Sequence, residues 1–262
     1  MGMDYYLSNN RKFYISIKTT LNAYGYVSLF DDNGKEILKD IKSSYEIGGN
    51  RGAVSNDGGF FATAAYSHKG VDLRNINGDL IWNTKEIKKV QGLAFSSDNQ
   101  FLYVWNGDEP EHTYYVRLSD GKIEKRIVAS WIKPSLYLND IIFPKEDTLI
   151  IDSKKIKSPS FCFLDVVSAK EGIIVSPVSK DIMMYDYRGN LTWTSNFVEE
   201  KVDNHIIQLV DANRFVYGLS LNWDVYRIDK LNGVSDIIKN NIKFIINEKT
   251  YIDINDRFIK LD

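Results

Sequence analysis

The sequence predicts an all-β chain of repeated four-stranded antiparallel sheets, and three observations predict it. The chain is rich in strand-forming aromatics, with 16 Tyr and 13 Phe, and only 5 Pro interrupt it, a mixture that suits pleated strands better than helices. Glycines in Asp/Asn-rich turns recur at a nearly constant interval: Gly34 and Gly78 are 44 residues apart, Gly78 and Gly121 are 43 apart, and Gly189 and Gly233 are 44 apart. Five positions before each glycine stand Leu29, Leu73, Val116, Met184 and Ile228, and seven before it Val27, Val71, Tyr114, Ile182 and Tyr226. A two-residue apolar period marks a strand with one buried face. A period in the forties is the length of one propeller blade.

Each element follows from local chemistry. The glycine accepts the positive φ that closes a hairpin, and a second strand begins after it, as in Asp79-Leu80-Ile81-Trp82 and Asn190-Leu191-Thr192-Trp193. Upstream lies another hairpin, as in Ala53–Thr63, turning at Asn56-Asp57-Gly58, and Leu93–Tyr103, turning at Ser97-Asp98-Asn99; further hairpins turn near Glu146, Glu171, Asn213 and Glu248. Two hairpins per unit make one four-stranded blade. Gly121 to Gly189 spans 68 residues, which fits neither one interval nor two. Residues 136–152 read as an inner hairpin of an abbreviated fourth blade, giving seven blades with the last, residues 241–262, missing its outer strand. Six blades with an inserted hairpin is the competing count. No helix is needed; Val198–Asp211 is expected to be a loop or a single turn. One domain over residues 1–262 is expected.

Residues 51–84 and 91–126 resemble blades of WD-repeat and quinoprotein-like propellers. The Ser-x-Asp-Gly turn between inner strands and the Asn-Gly…Trp outer hairpin carry the likeness. The Gly-His pair of WD repeats is absent, and Trp-Asp occurs at Trp223-Asp224. The resemblance implies a fold and leaves activity open.

Composition excludes several classes. Net charge is −2, which gives no broad attraction to nucleic acid or acidic membrane. Met1–Tyr5 lacks the features of a secretory signal, no apolar run approaches a membrane span, and one cysteine fits a reducing cytosol; a cytoplasmic location is expected. Cys162, beside Phe161, Phe163 and Leu164, reads as a buried inert thiol. Three histidines, His68, His112 and His205, lack zinc-site spacing. No nucleophile elbow or phosphate loop occurs, so no catalytic residue, metal or cofactor is assigned. Asp31-Asp32-Asn33-Gly34 is explained by turn chemistry rather than calcium. Trp82 and Trp193, at matching positions, are expected to pack between blades rather than stack on a quinone.

The expected site lies in the loops. In propellers the hairpin turns lie on one face, and the second-to-third-strand and blade-to-blade connections lie on the other. That second face gathers Tyr45, Tyr66, His68, Trp131, Trp223 and Asp224, together with Asp108, Glu109, Glu111 and His112 of an acidic loop. Loops on a rigid scaffold carry recognition, and aromatics beside charges have the composition of interface anchors. The expected function is non-enzymatic binding of another protein, of which a bacterial immunity protein capping a toxin is the favoured form, monomeric when free and without nucleic acid or membrane. The alternative is a hydrolase or lyase at the channel mouth, marked by Asp108 or Glu111 pairing with His68 or His205.

Overall fold

The computed structural model describes residues 3–19, 24–46, 50–66, 70–108, 110–135, 137, 140–151, 153–160, 162–178, 181–195 and 205–260. Among these every regular element is a strand, and no helix is long and apolar enough to cross a membrane. The chain divides into two compact units, Met1–Leu136 and Tyr137–Asp262.

The first unit holds three complete sheets in chain order. These are β1 (Met3–Leu7), β2 (Phe13–Thr19), β3 (Tyr24–Asp31) and β4 (Glu36–Glu46); β5 (Asn50–Val54), β6 (Phe60–Ala65), β7 (Val71–Asn75) and β8 (Leu80–Thr84); and β9 (Val90–Phe95), β10 (Phe101–Asn106), β11 (His112–Arg117) and β12 (Ile123–Val128). The fourth sheet comprises β13 (Trp131–Lys133), β14 (Ile141–Lys145), β15 (Thr148–Ile151) and β16 (Lys154–Lys157).

The second unit continues with β17 (Phe163–Ala169), β18 (Gly172–Pro177), β19 (Ile182–Tyr185) and β20 (Leu191–Ser195). It then holds β21 (Ile206–Asp211), β22 (Phe215–Ser220), β23 (Val225–Asp229) and β24 (Ser235–Lys239), and a last sheet of β25 (Ile242–Asn247), β26 (Thr250–Asp253) and β27 (Phe258–Lys260). Among the described residues seven sheets therefore succeed one another, six with four strands and the last with three. The count of seven blades holds, and so does the shortened last blade.

Two details differ from expectation. The stretch 136–152 is not a first-and-second-strand hairpin, because β13 takes the first position and β14 and β15 become second and third. The fourth blade is thus complete in strand number and short in strand length. Its outer turn carries positive φ at Ser153 (71°) rather than at a glycine, which is why the glycine period skipped it. The segment expected to be a loop or turn contains β21 over Ile206–Asp211, whose Ile206, Leu209 and Val210 are buried; Val198–Asn204 lies outside the described residues.

The alternating positions do what their period demands. Leu29, Leu73, Val116, Met184 and Ile228 all sit on third strands and are buried, opposite Ile15, Ala62, Leu102, Ile174 and Val216 of the second strands. Burial of each such side chain contributes on the order of 1.5–3 kcal/mol. These residues form cores between successive sheets within each unit, such as the cluster of Leu73, Val90, Leu102 and Val116 and that of Met184, Trp193, Leu209 and Ile228.

Turn chemistry sets the registers. In the first three sheets a Ser-x-Asp/Asn-x-x-Phe turn links first and second strands. Ser8, Ser55 and Ser96 each accept at Oγ the N–H of Phe13, Phe60 and Phe101, at 3.1, 2.9 and 3.0 Å. Arg11, Gly58 and Asn99 take the left-handed position, with φ of 61°, 69° and 56°. Asparagines then tie these turns sideways: Asn10 N–H to Asn56 Oδ1 (3.0 Å) and Asn56 N–H to Asn99 Oδ1 (3.1 Å).

The outer turns at Gly121 and Gly233 are clasped by the preceding blade. Trp82 donates its indole N–H to the carbonyl of Leu118, and Trp193 to that of Lys230, both at 2.7 Å. Their rings lie against Gly121 and Gly233, where an added Cβ would approach within 2.9 Å. Both tryptophans pack between blades, as their position predicted.

Candidate recognition surface

Within each sheet the first-to-second and third-to-fourth strand turns share one end, here the turn end. The second-to-third connection and the link to the next sheet share the other, the connection end.

In the first unit Tyr66 follows β6 and is exposed. Asp108 follows β10 and pairs with the Lys89 ammonium at 2.8 Å. The Asp108 hydrogen bond, its charge, and to a lesser degree Tyr66 raise the Lys89 pKa. Asn106 organises the loop: its Nδ2 donates to Asp108 (3.3 Å), and its Oδ1 accepts the N–H of His112 (3.1 Å). The Gly107 N–H bonds the Lys89 carbonyl at 3.0 Å. The His112 ring stands 6.3 Å from that of Tyr114. Tyr66, Lys89 and Asp108 are thereby brought together, with His112 joined through Asn106. Glu111 is half-buried beside them, and Trp131 is half-buried in β13, which packs on β9, β10 and β11. His68 and Glu109 lie outside the described residues, and Tyr45 lies on β4 with its side chain outside them. Among the described residues no group of three His, Cys, Asp or Glu side chains is placed to hold a metal.

In the second unit Trp223 and Asp224 close the connection between β22 and β23. The Trp223 N–H bonds Ser220 O, the Ser220 N–H bonds Asp224 O, and the Ile242 N–H bonds Trp223 O, at 3.0, 3.0 and 2.9 Å. Asp224 is buried, and its Oδ1 accepts from Asn240 Nδ2 at 2.6 Å. Its side chain fixes the loop, while Trp223 is left 39% exposed in a left-handed backbone with φ of 66°. Leu221 beside it is 45% exposed, and Ile254, in the next sheet's connection, 46%. Sequence reading missed Leu221, Ile254 and Lys89. Each departs from the sheet period by a residue or two, so only the strand ends reveal where they stand. The Leu221 N–H bonds the His205 carbonyl at 2.9 Å. Cys162 is half-buried rather than buried; desolvation first, then the Glu146 charge, raises its pKa.

No family model and no curated protein matches the chain. Among solved structures it is similar to hydrazine synthase from Kuenenia stuttgartiensis, with a TM-score of 0.64 and 13% identity, covering 86% of this chain and 75% of that one. The fold is a β-propeller. At that identity the likeness carries architecture alone.

Proposed function

We propose that this propeller is a non-enzymatic binding protein that recognises another protein sterically, through side chains on the connection ends of its blades. Trp223 carries the reading. A bulky residue at positive φ is a backbone outlier costing on the order of 1–2 kcal/mol. The corresponding turn of the last sheet closes with Asp256 at φ 60° and the same N–H to carbonyl bonds, Asp256 to Asp253 and Asp253 to Arg257, both at 3.0 Å. Folding therefore has no need of tryptophan there, and solubility argues against it. Strain held at an exposed aromatic is the mark of a contact residue. Leu221 extends the apolar surface, and the hydrogen-bonded turn holds both in place before any partner arrives, which lowers the entropy cost of association.

Within that class, one-to-one capping of a toxin in the cytosol is the partner relation proposed. It asks of the protein a rigid surface, no cofactor and no covalent step. The test is affinity capture from the native host with the wild type and Trp223→Asn. The reading expects one protein partner, a toxin, retained by the wild type and lost by the variant at an unchanged fold. Recovery of a small metabolite alone, or equal capture by both, overturns it.

A further inference from the structure

The sixth and last sheets carry more apolar surface at one end than their backbone requires. In the third, fifth, sixth and last sheets, one more hydrogen bond extends the ladder between the first two strands. The N–H donors are Gly107, Val178, Leu221 and Ile254, and the carbonyl acceptors are Lys89, Cys162, His205 and Asn241, at 3.0, 3.0, 2.9 and 3.1 Å. The bond uses backbone alone, and a glycine serves in the third sheet. Nothing in the ladder therefore asks for an aliphatic side chain at Leu221 or Ile254, and both are exposed. Trp223 stands between them. Its carbonyl accepts the N–H of Ile242, the residue beside Asn241, whose own carbonyl holds Ile254. Leu221, Trp223 and Ile254 thus lie along one run of backbone hydrogen bonds that passes from the sixth sheet to the last, and each keeps its side chain in water at a cost that an apolar cover would remove.

Charge marks one side of this patch. The acids around it are engaged: Asp224 by Asn240 (2.6 Å), Asp253 by Arg257 (2.7 Å) and Asp256 by Lys243 (2.8 Å). Lys239 differs. It ends β24 next to Asn240 and faces Val225, two residues beyond Trp223. It is half-buried, and among the described residues no acidic side chain pairs with it. An ammonium partly withdrawn from water and lacking a counter-charge gains from a carboxylate brought to it. We infer that the partner presents to this patch a single segment in which an aliphatic or aromatic side chain is flanked by a carboxylate. The apolar group covers Trp223, Leu221 and Ile254, and the carboxylate pairs with Lys239. The inference rests on recognition at the connection ends and adds the chemistry of what is recognised. Apolar cover supplies most of the affinity, and the ion pair selects among apolar segments, since a cationic one would set like charges together.

The probe is a phage-displayed library of random peptides, selected on the full wild-type chain and counter-selected on Trp223→Asn. Enriched peptides should carry an aliphatic or aromatic residue with Asp or Glu a few positions away. When such a peptide is titrated by fluorescence anisotropy, Lys239→Glu should weaken binding about fivefold to tenfold and Lys239→Gln by less. Ile254→Ser should weaken it about tenfold, and Lys155→Glu, on exposed β16, should leave it unchanged. Exchanging the peptide's carboxylate for lysine should restore binding to Lys239→Glu. No enrichment over Trp223→Asn, enriched peptides without a carboxylate, or equal affinity for the wild type and Lys239→Glu overturns the inference. The captured partner separates this inference from the reading beneath it. Loss with Trp223→Asn but full retention by Lys239→Glu removes the inference alone, and equal capture by all three chains removes both.

Discussion

Replacing Gly233 by alanine tests how successive blades are locked. Gly233 has φ of 73°, and its added Cβ would stand 2.9 Å from Cε3 and 3.1 Å from Cδ2 of Trp193. Carbon atoms prefer about 3.5–4.0 Å. The ring is 8% exposed and anchored by its N–H to the Lys230 carbonyl at 2.7 Å, so retreat means losing that bond. Overpacking costs about 1–3 kcal/mol, and left-handed backbone with a Cβ costs on the order of 1 kcal/mol more. Reduced freedom of the unfolded chain returns about 0.4–1 kcal/mol. The net loss should be about 2–3 kcal/mol. Gly189→Ala is the comparison: its φ is 79°, but the nearest atom is Cδ of the flexible Lys154 side chain at 3.1 Å, so about 1 kcal/mol or less is expected. Equilibrium urea unfolding followed by tryptophan fluorescence measures both. In a cycle with Trp193→Leu, the Gly233→Ala cost should shrink by about 1 kcal/mol or more. Equal costs at Gly189 and Gly233, or no coupling to Trp193, would refute the clasp.

Other predictions follow from charges. Lys230 is buried, with Asp211 Oδ1 at 3.0 Å and Glu171 Oε2 at 3.1 Å; Lys230→Met should cost about 3 kcal/mol by taking a buried cation away from these carboxylates, and adding Asp211→Asn should recover part of it in the same unfolding assay. Asp186, Asp229 and Asp253 are held below the usual carboxylate range chiefly by the backbone N–H groups of Asn190, Leu231 and Arg257. A depressed folded pKa adds stability above the unfolded value of about 3.9, and that stability is lost as pH falls through the folded value. Thermal midpoints should therefore hold steady down to about pH 5 and drop below it. Asp186→Asn with Asp253→Asn, which keep the Oδ1 acceptor, should flatten the drop. The raised Cys162 pKa leaves less thiolate at neutral pH, so iodoacetamide should label it more slowly than a free cysteine in native protein and equally fast in urea.

How much of this was legible in the sequence depended on which residue carried the turn. Where glycine took the left-handed position, at Gly34, Gly78, Gly121, Gly189 and Gly233, the period and the buried third strands could be read directly. Asn99, with φ of 56°, could still be read as a turn beside Ser97 and Asp98, but at Arg11, Ser153, Trp223 and Asp256 the turn was silent, because positive φ there leaves no compositional trace. The first Ser-x-Asn-x-x-Phe turn at Ser8–Phe13 escaped notice for that reason, and the fourth blade remained hard to count. The acidic loop was readable as a loop, but its organisation by Asn106 and the pairing of Asp108 with Lys89 come from separate strands and needed the fold. Asp224 looked like a contact residue beside Trp223, and burial against Asn240 makes it the loop's support.

The most direct test of recognition at the connection end compares two exposed apolar residues at opposite ends of β23. Trp223 precedes the strand, and Leu231, 78% exposed, follows it in the turn to β24. With the captured partner in a calorimeter, Trp223→Asp should weaken binding by a factor of about 30 or more, the loss expected of an anchor residue worth 2 kcal/mol, and Leu231→Asp should leave the affinity unchanged. Loss of binding with Leu231→Asp and none with Trp223→Asp would place recognition on the turn end and contradict the account.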